Sequence, residues 1–513
     1  MKQNQPTRRS LIKLLTASAA GVALTTDTAS AIEVATPNEN VPTLRIDPAP
    51  LFELSPYLYM QMMEPLGTTD GSVEASWNHL KNEWKPGLID LTRELAPSMI
   101  RWGGLIAGYY RWREAVGPRA SRKPMHNLSW GGIESNQIGT AEFLDFCKQV
   151  QAEPLMCVNF EGEGDPLWIR NQLGEARAGD AQEAADWVDY CNNPDNAERI
   201  GHGFREPFPI RYWQLGNETS YSPARHKPGA AIKKTIEFSQ AMRKKDPKIK
   251  LIAWGDSGWA PGMIEKAGEH FDYIAFHHLF DPGAPCRDGE YQKDLSATWQ
   301  VLMDSVNKQQ RKLNEMRKQI GKFEIPLAMT ESHFTMPGRN RCDLNSAWAT
   351  GVAYARFLNL HQRNGDLLKI ANLGDFCGTR WQSNVIMIPT PGGKPYLMPV
   401  GKVTQLYRKH TGTHLIKSEI NAPDLDITAT GSDKKICVHI VNTNRTQARS
   451  FRLKIDKIEK TISCKSFSIA IDPFVEITSA KDDQMQVQEK AVDLNLPIDV
   501  TAASVTALVL EFK

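Results

Sequence analysis

What most constrains this chain is a repeated switch between two hydrophobic periods. From residue 43 to about residue 404, short apolar runs alternate with amphipathic stretches of helical spacing. The apolar runs cover 58–64, 98–103, 154–160, 211–218, 251–256, 273–277, 326–331 and 369–375. Helical patterns lie between them, as at 141–151, 181–191, 231–244 and 348–364. Strands separated by helices must pair in parallel, because each helix carries the chain back to the starting edge of the sheet. Eight such units predict an α/β fold, a (β/α)8 TIM barrel. Catalytic groups in that architecture stand at the C-terminal ends of the strands.

Past residue 404 the texture changes. Runs at 425–430, 435–442, 450–455, 464–471 and 504–512 are separated by Gly, Asn, Asp and Pro turns, and helical periodicity fades. This predicts a C-terminal antiparallel β-sandwich domain over 404–513, with the barrel over 43–403. The early segment 43–46 is a candidate extra strand of that sandwich.

A chain of 513 residues with 41% hydrophobic content is long enough for both units. Its net charge of +2, with acidic and basic residues mixed, gives no footprint for nucleic acid. The first 31 residues carry Arg8-Arg9, a weakly apolar run at 14–24 and the small-residue site Ala29-Ser30-Ala31. They read as a twin-arginine signal peptide followed by a linker over 32–42, so a periplasmic or secreted protein is expected, with no membrane association after cleavage. Eight cysteines are widely spaced without a Cys-x-x-Cys, which argues against a zinc site or a disulfide framework. No metal and no cofactor is expected. Pairing of Cys286 with Cys342 stays open, as does assembly into a homo-oligomer.

Two of the apolar runs end on a glutamate. One is Arg211-Tyr212-Trp213-Gln214-Leu215-Gly216-Asn217-Glu218, and the other is Ile325-Pro326-Leu327-Ala328-Met329-Thr330-Glu331-Ser332. A carboxylate at the end of a core strand is costly to bury unless it meets a partner or does chemistry. Two of them, on what count as strands four and seven, supply what hydrolysis of a glycosidic bond needs: a proton donor and a nucleophile or base. Glu161 and Glu163 form a second acidic group in a Gly-rich loop and read as solvated. His278 reads as packed. Trp102 and Trp130 are candidates for sugar-stacking faces or for the core.

These runs, with Asp189-Tyr190-Cys191-Asn192, Gly139-Thr140-Ala141-Glu142-Phe143 and Asp272-Tyr273-Ile274-Ala275-Phe276-His277, resemble the α-L-arabinofuranosidases of glycoside hydrolase family fifty-one. The resemblance runs from about residue 54 to the C-terminus. It implies a retaining, exo-acting enzyme with a barrel, a C-terminal sandwich and a carbohydrate substrate. It also implies roles: Glu218 as acid/base, Glu331 as nucleophile, and Glu64, Arg101, Asn217 and His277 as substrate-binding or supporting residues. Asp375, standing where strand eight commonly supplies a glutamine, joins the substrate-binding set. The chain departs from the family pattern elsewhere too. Gly103-Gly104-Leu105-Ile106 replaces a Pro-Gly-Gly-Asn run, Leu279 replaces a tyrosine, and Thr330-Glu331-Ser332 replaces Asp-Glu-Trp. These changes line one pocket and keep three alternatives in play: a β-xylosidase, a galactofuranosidase, or a non-catalytic carbohydrate-binding barrel protein.

Overall fold

The computed structural model describes residues 41–66, 72–160, 177–221, 226–336, 343–379, 383–389, 392–456 and 461–512. Eight parallel strands follow one another around a sheet in strict chain order: Gln61–Met63, Met99–Trp102, Glu153–Val158, Tyr212–Leu215, Lys250–Trp254, Tyr273–Phe280, Leu327–Phe334 and Leu368–Ala371. A parallel bridge from Met60 to Asn372, with Met60 N donating to Ala371 O at 3.0 Å, joins the eighth strand back to the first and closes the barrel. Helices follow the strands, from Pro86–Leu95 between the first and second strands to Pro399–Lys409 after the eighth. The expected fold class stands.

The strand period of two builds the interior in layers. The floor takes one apolar residue from each strand: Met60, Met99, Leu155, Tyr212, Ile252, Ala275, Ala328 and Ile370. Alternate residues face outward into the larger core shared with the helices, among them Trp102, which packs on Tyr110 and Phe143 rather than facing a sugar.

The second unit is a nine-stranded sheet, antiparallel except for one pair, around a core that includes Leu44, Ile46, Ile440, Phe451 and Leu508. Its third-from-edge strand comes from the other end of the chain. Thr43–Glu53 pairs antiparallel with His414–Glu419 and parallel with Arg449–Ile455. The expected barrel start at residue 43 therefore falls on a strand of the sheet domain. The candidate strand at 43–46 is found there and runs on to Glu53 through Pro48 and Pro50, and the ladder shifts register around Pro50, where a missing N–H costs least. The first barrel strand is also shorter than expected, because Pro56–Tyr59 forms a 3-10 turn capped by the Ser55 side chain.

Candidate functional site

Two residues above the floor, the same period brings a polar layer inward. It includes Arg101, Cys157, Gln214, Trp254, His277 and Thr330 from strands two to seven. Arg101 is fully buried and spends its guanidinium on this layer. Nε donates to Gln214 Oε1 at 2.8 Å, one Nη to Glu331 Oε1 at 2.9 Å and the other to Asn217 Oδ1 at 2.6 Å. A planar fork with fixed donors orients three acceptors at once.

Glu331 reaches this layer through a break in the strand. Phe276 pairs with Met329, but His277 pairs with Glu331, so strand seven carries one extra residue at Thr330. Strict alternation would put Glu331 on the helix side with Met329. The bulge turns it inward and places it beside His277.

Glu218 arrives through a turn. Gly216 after strand four has φ +75, and a Cβ there would stand 2.6 Å from the Phe160 Cβ, so only glycine fits. Glu218 itself has φ +50, a conformation that a non-glycine residue adopts at a cost and that clusters at functional sites. Tyr221 closes the turn, its N–H donating to Glu218 O at 2.8 Å. The Tyr221 hydroxyl donates to Asp256 Oδ2 at 2.6 Å, and Lys312 pairs with the other oxygen of Asp256.

His277 bridges the two carboxyl groups. Its Nδ1 is 2.8 Å from Glu218 Oε1 and 3.5 Å from Glu331 Oε2, while Nε2 is 2.9 Å from Thr330 Oγ1. Burial holds the ring's pKa down at about 4, so it is neutral near pH 7. Burial also pushes Glu218 up to about 7, with Arg101 opposing the shift and Asp256 adding to it. One ligand atom each from Glu218, His277 and Glu331 lies within 4.8 Å of the others. The two glutamates thus sit side by side in unlike surroundings: Glu218 is pushed toward its protonated form, and Glu331 takes a direct bond from Arg101.

The cavity above them measures about 290 Å³. Glu64 and Asp375 line it with Glu218, Glu331 and Trp130. Burial, then the Glu331 charge, raises Glu64 well above the carboxylate range. Its Oε1 accepts from Leu105 N at 2.7 Å and from Trp130 Nε1 at 3.1 Å, so the altered loop after Arg101 holds Glu64 with its own backbone. Asn217 points Oδ1 at Arg101, which leaves Nδ2 facing away from it, buried and with no protein partner among the described residues. The structure brings Glu64, Arg101, Asn217, Glu218, His277, Glu331 and Asp375 together in this one place.

His278 faces the other side of its strand and stacks on Phe280. Cys286 is buried, and its candidate partner Cys342 lies outside the described residues, as do Glu161 and Glu163. Sequence reasoning missed Gln214, Asp256, Tyr221, Lys312 and His333. Asp256 stands just past strand five, a position that signals a site residue in this fold. Lys312 gives no signal, since it reaches in from the middle of helix Val306–Ile320.

Comparisons with known proteins agree with this geometry. Residues 91–292 match a family model described as the alpha-L-arabinofuranosidase 1 domain. An intracellular exo-alpha-(1->5)-L-arabinofuranosidase of Acetivibrio thermocellus is 31% identical over 253 residues, 44% of this chain and 46% of that protein. An enzyme of the same name from Streptomyces lividans is 29% identical over 231 residues, 41% of this chain and 31% of that protein. The matched stretch thus spans less than half the length of these curated relatives. The arabinose complex of an alpha-L-arabinofuranosidase from Thermotoga maritima superposes with a TM-score of 0.78 at 20% identity, covering 92% of this chain and all of that one, and shows the shared fold. The expectation of export to the periplasm or medium is corrected by the same comparisons, because both named relatives are intracellular enzymes. An arginine pair and a short, weakly apolar run are weak signals by themselves, and residues 1–40 lie outside the described residues.

Proposed function

We propose that this chain, a relative of the α-L-arabinofuranosidases of glycoside hydrolase family fifty-one, is a retaining, exo-acting α-L-arabinofuranosidase. The observation that carries the reading is the pairing of Glu218 and Glu331 within 4.8 Å, with opposite electrostatic surroundings. Retaining glycosidases keep their carboxyl groups roughly 5–5.5 Å apart, whereas inverting enzymes need about 6.5–9.5 Å to seat a water between them.

The mechanism follows from the contacts. Glu331, oriented by Arg101, attacks the anomeric carbon. Glu218 gives its proton to the departing oxygen, and the C1–O bond breaks. Glu218, now a carboxylate, takes a proton from the water that attacks the glycosyl–Glu331 ester, and the sugar leaves with its configuration retained. His277, neutral and in contact with both carboxyl groups, can hold a proton between them but adds no charge. The buried Nδ2 of Asn217 is available to donate to a sugar hydroxyl oxygen. Glu64 and Asp375 flank the same sugar. The cavity is at the small end of the ~300–1,000 Å³ typical of ligand pockets, which suits one terminal sugar residue rather than a chain lying through a cleft. Retention of both carboxylates disfavours a non-catalytic binding protein.

The test is hydrolysis of para-nitrophenyl α-L-arabinofuranoside, with the first-formed anomer followed by proton NMR. The α-anomer should appear first and then mutarotate. Glu331→Ala should lose all turnover. Glu218→Ala should still release the activated phenol in a burst and then stall. Azide should rescue the two variants with opposite stereochemistry. The same product stereochemistry from both would overturn the assignment.

A further inference from the structure

The pairing that sets His277 beside Glu331 continues two residues along both strands, where Leu279 pairs with His333. By the period of two, these side chains form the next inward layer, immediately above the carboxyl groups, and both line the cavity. Leu279 is 40% exposed, although its neighbours on the strand are mostly buried. His333 has Nδ1 2.8 Å from the Phe334 carbonyl oxygen. That oxygen can only accept, so Nδ1 carries the proton and the ring is held in place at the wall. Leu66, Leu105, Met336 and Thr335 also line the cavity among the described residues.

The cavity is therefore divided. Its carboxyl groups, Glu64, Glu218, Glu331 and Asp375, give a sugar's hydroxyls their partners. Above them, Leu279 offers aliphatic carbon, with the His333 imidazole and the Thr335 hydroxyl beside it. A leaving group that is itself a sugar would set hydroxyls against Leu279, which offers them no hydrogen-bond partner. An apolar leaving group would gain by covering the same surface.

Resting on the hydrolytic reading above, we propose that Leu279 and His333 form the leaving-group wall of the site, and that it selects arabinofuranosides of apolar alcohols, aryl or alkyl, over substrates whose leaving group is another sugar. The chemistry is unchanged: Glu331 bonds to C1, the C1–O bond breaks, and the alcohol departs with the Glu218 proton.

The experiment compares kcat/KM for benzyl α-L-arabinofuranoside, methyl α-L-arabinofuranoside and arabinobiose, in the wild type and in Leu279→Asn. All three leaving groups are alcohols that need protonation. Discrimination through apolar contact of this size is worth ~10–200-fold. The benzyl glycoside should exceed each of the others by about tenfold or more, and Leu279→Asn should cut the benzyl-to-methyl ratio by about tenfold. Cleavage of arabinobiose as fast as the benzyl glycoside by the wild type, or a ratio that survives the substitution, overturns the proposal and leaves the hydrolytic reading in place. The wild-type comparison needs no variant to fold. Failure to cleave para-nitrophenyl α-L-arabinofuranoside at all would remove the hydrolytic reading, and this proposal with it.

Discussion

The pKa of Glu218 links catalysis to stability at the scale of one residue. Glu218 must hold its proton to assist departure, so kcat/KM should fall as pH rises through about 7, the value to which burial pushes it. An unfolded glutamate releases its proton near ~4.3. The folded state binds this proton more tightly, so its stabilising contribution is complete below about pH 4 and is lost as pH rises through about 7. Glu218→Gln keeps the shape and cannot ionise. It should be more stable than the wild type at about pH 8, by roughly 2–3 kcal/mol, and no more stable at about pH 4. Urea unfolding at the two pH values measures this, and equal stabilities at the higher pH would mean that the carboxyl group is not held in an apolar setting. The strand-end positions of Glu218 and Glu331 made their convergence legible in the sequence. Asn217 came with the Glu218 motif, and Arg101 came through the family resemblance, from the separate run 98–103. Gln214 was less legible, because a glutamine inside an apolar strand reads as an interruption until the Arg101 donor facing it is known.

Elements, rather than single residues, decide where these groups point. The bulge at Thr330 was not legible, because alternation in 326–331 reads as an ordinary buried strand and the extra residue shows only against its partner. The strands also run past their expected ends, to Phe280 and Phe334, which is why His333, paired with Leu279, was missed. Asp256 ties four elements together. It accepts from Tyr221 of the Glu218 turn, from Ser257 N at 2.6 Å beside it, from His277 N at 3.3 Å on strand six, and from Lys312 on the following helix. Burial opposes its charge, but the bonds from Lys312 and Tyr221 more than offset this and hold Asp256 below the usual carboxylate range. Lys312→Met removes the cation and leaves the charge that already raises Glu218. The alkaline limb of kcat/KM should move up in pH, and the variant should lose about 3 kcal/mol of stability, as expected for a broken buried pair. Asp256→Asn should move the same limb down. A loss of activity with the limb fixed in both variants would reduce the pair to scaffolding.

On the scale of the whole molecule, one helix contributes much of the contact between the two units, beside joins such as Trp299 Nε1 to Thr443 O and Tyr407 stacked on His439. Trp348–Arg363, the helix after strand seven, is buried on nearly every side and lies between the barrel and the sheet domain. Its Trp348 Nε1 donates to Ala503 O at 2.8 Å, and Asn359 and Gln362 bind Thr428. Arg356 and Arg363 meet Asp426 at 2.9 and 2.7 Å. The alternation of strands and helices made both units legible, but not this fastening. A helix polar on one side reads as facing water, and only the partner strand Leu425–Ser432 shows that Asn359 and Gln362 are satisfied. Burial opposes the Asp426 charge, yet Arg363 and Arg356 hold its pKa below the usual range. Its contribution is therefore present above the unfolded value of ~3.9 and is lost as pH falls through the lower folded value. Asp426→Asn leaves Arg356 largely buried without its counter-charge. It should destabilise the protein by about 2–3 kcal/mol near neutral pH, below the ~3–5 kcal/mol of a fully buried pair because Arg363 is 37% exposed. The difference should shrink in acid as the wild-type carboxylate takes up its proton. Thermal melts of both proteins across pH measure it, and one cooperative transition should be kept, since the strand Thr43–Glu53 binds the chain's beginning into the sheet formed by its end. A second, separate transition in Asp426→Asn, or a deficit that does not shrink in acid, would show that this ion pair does not couple the barrel to the sheet domain.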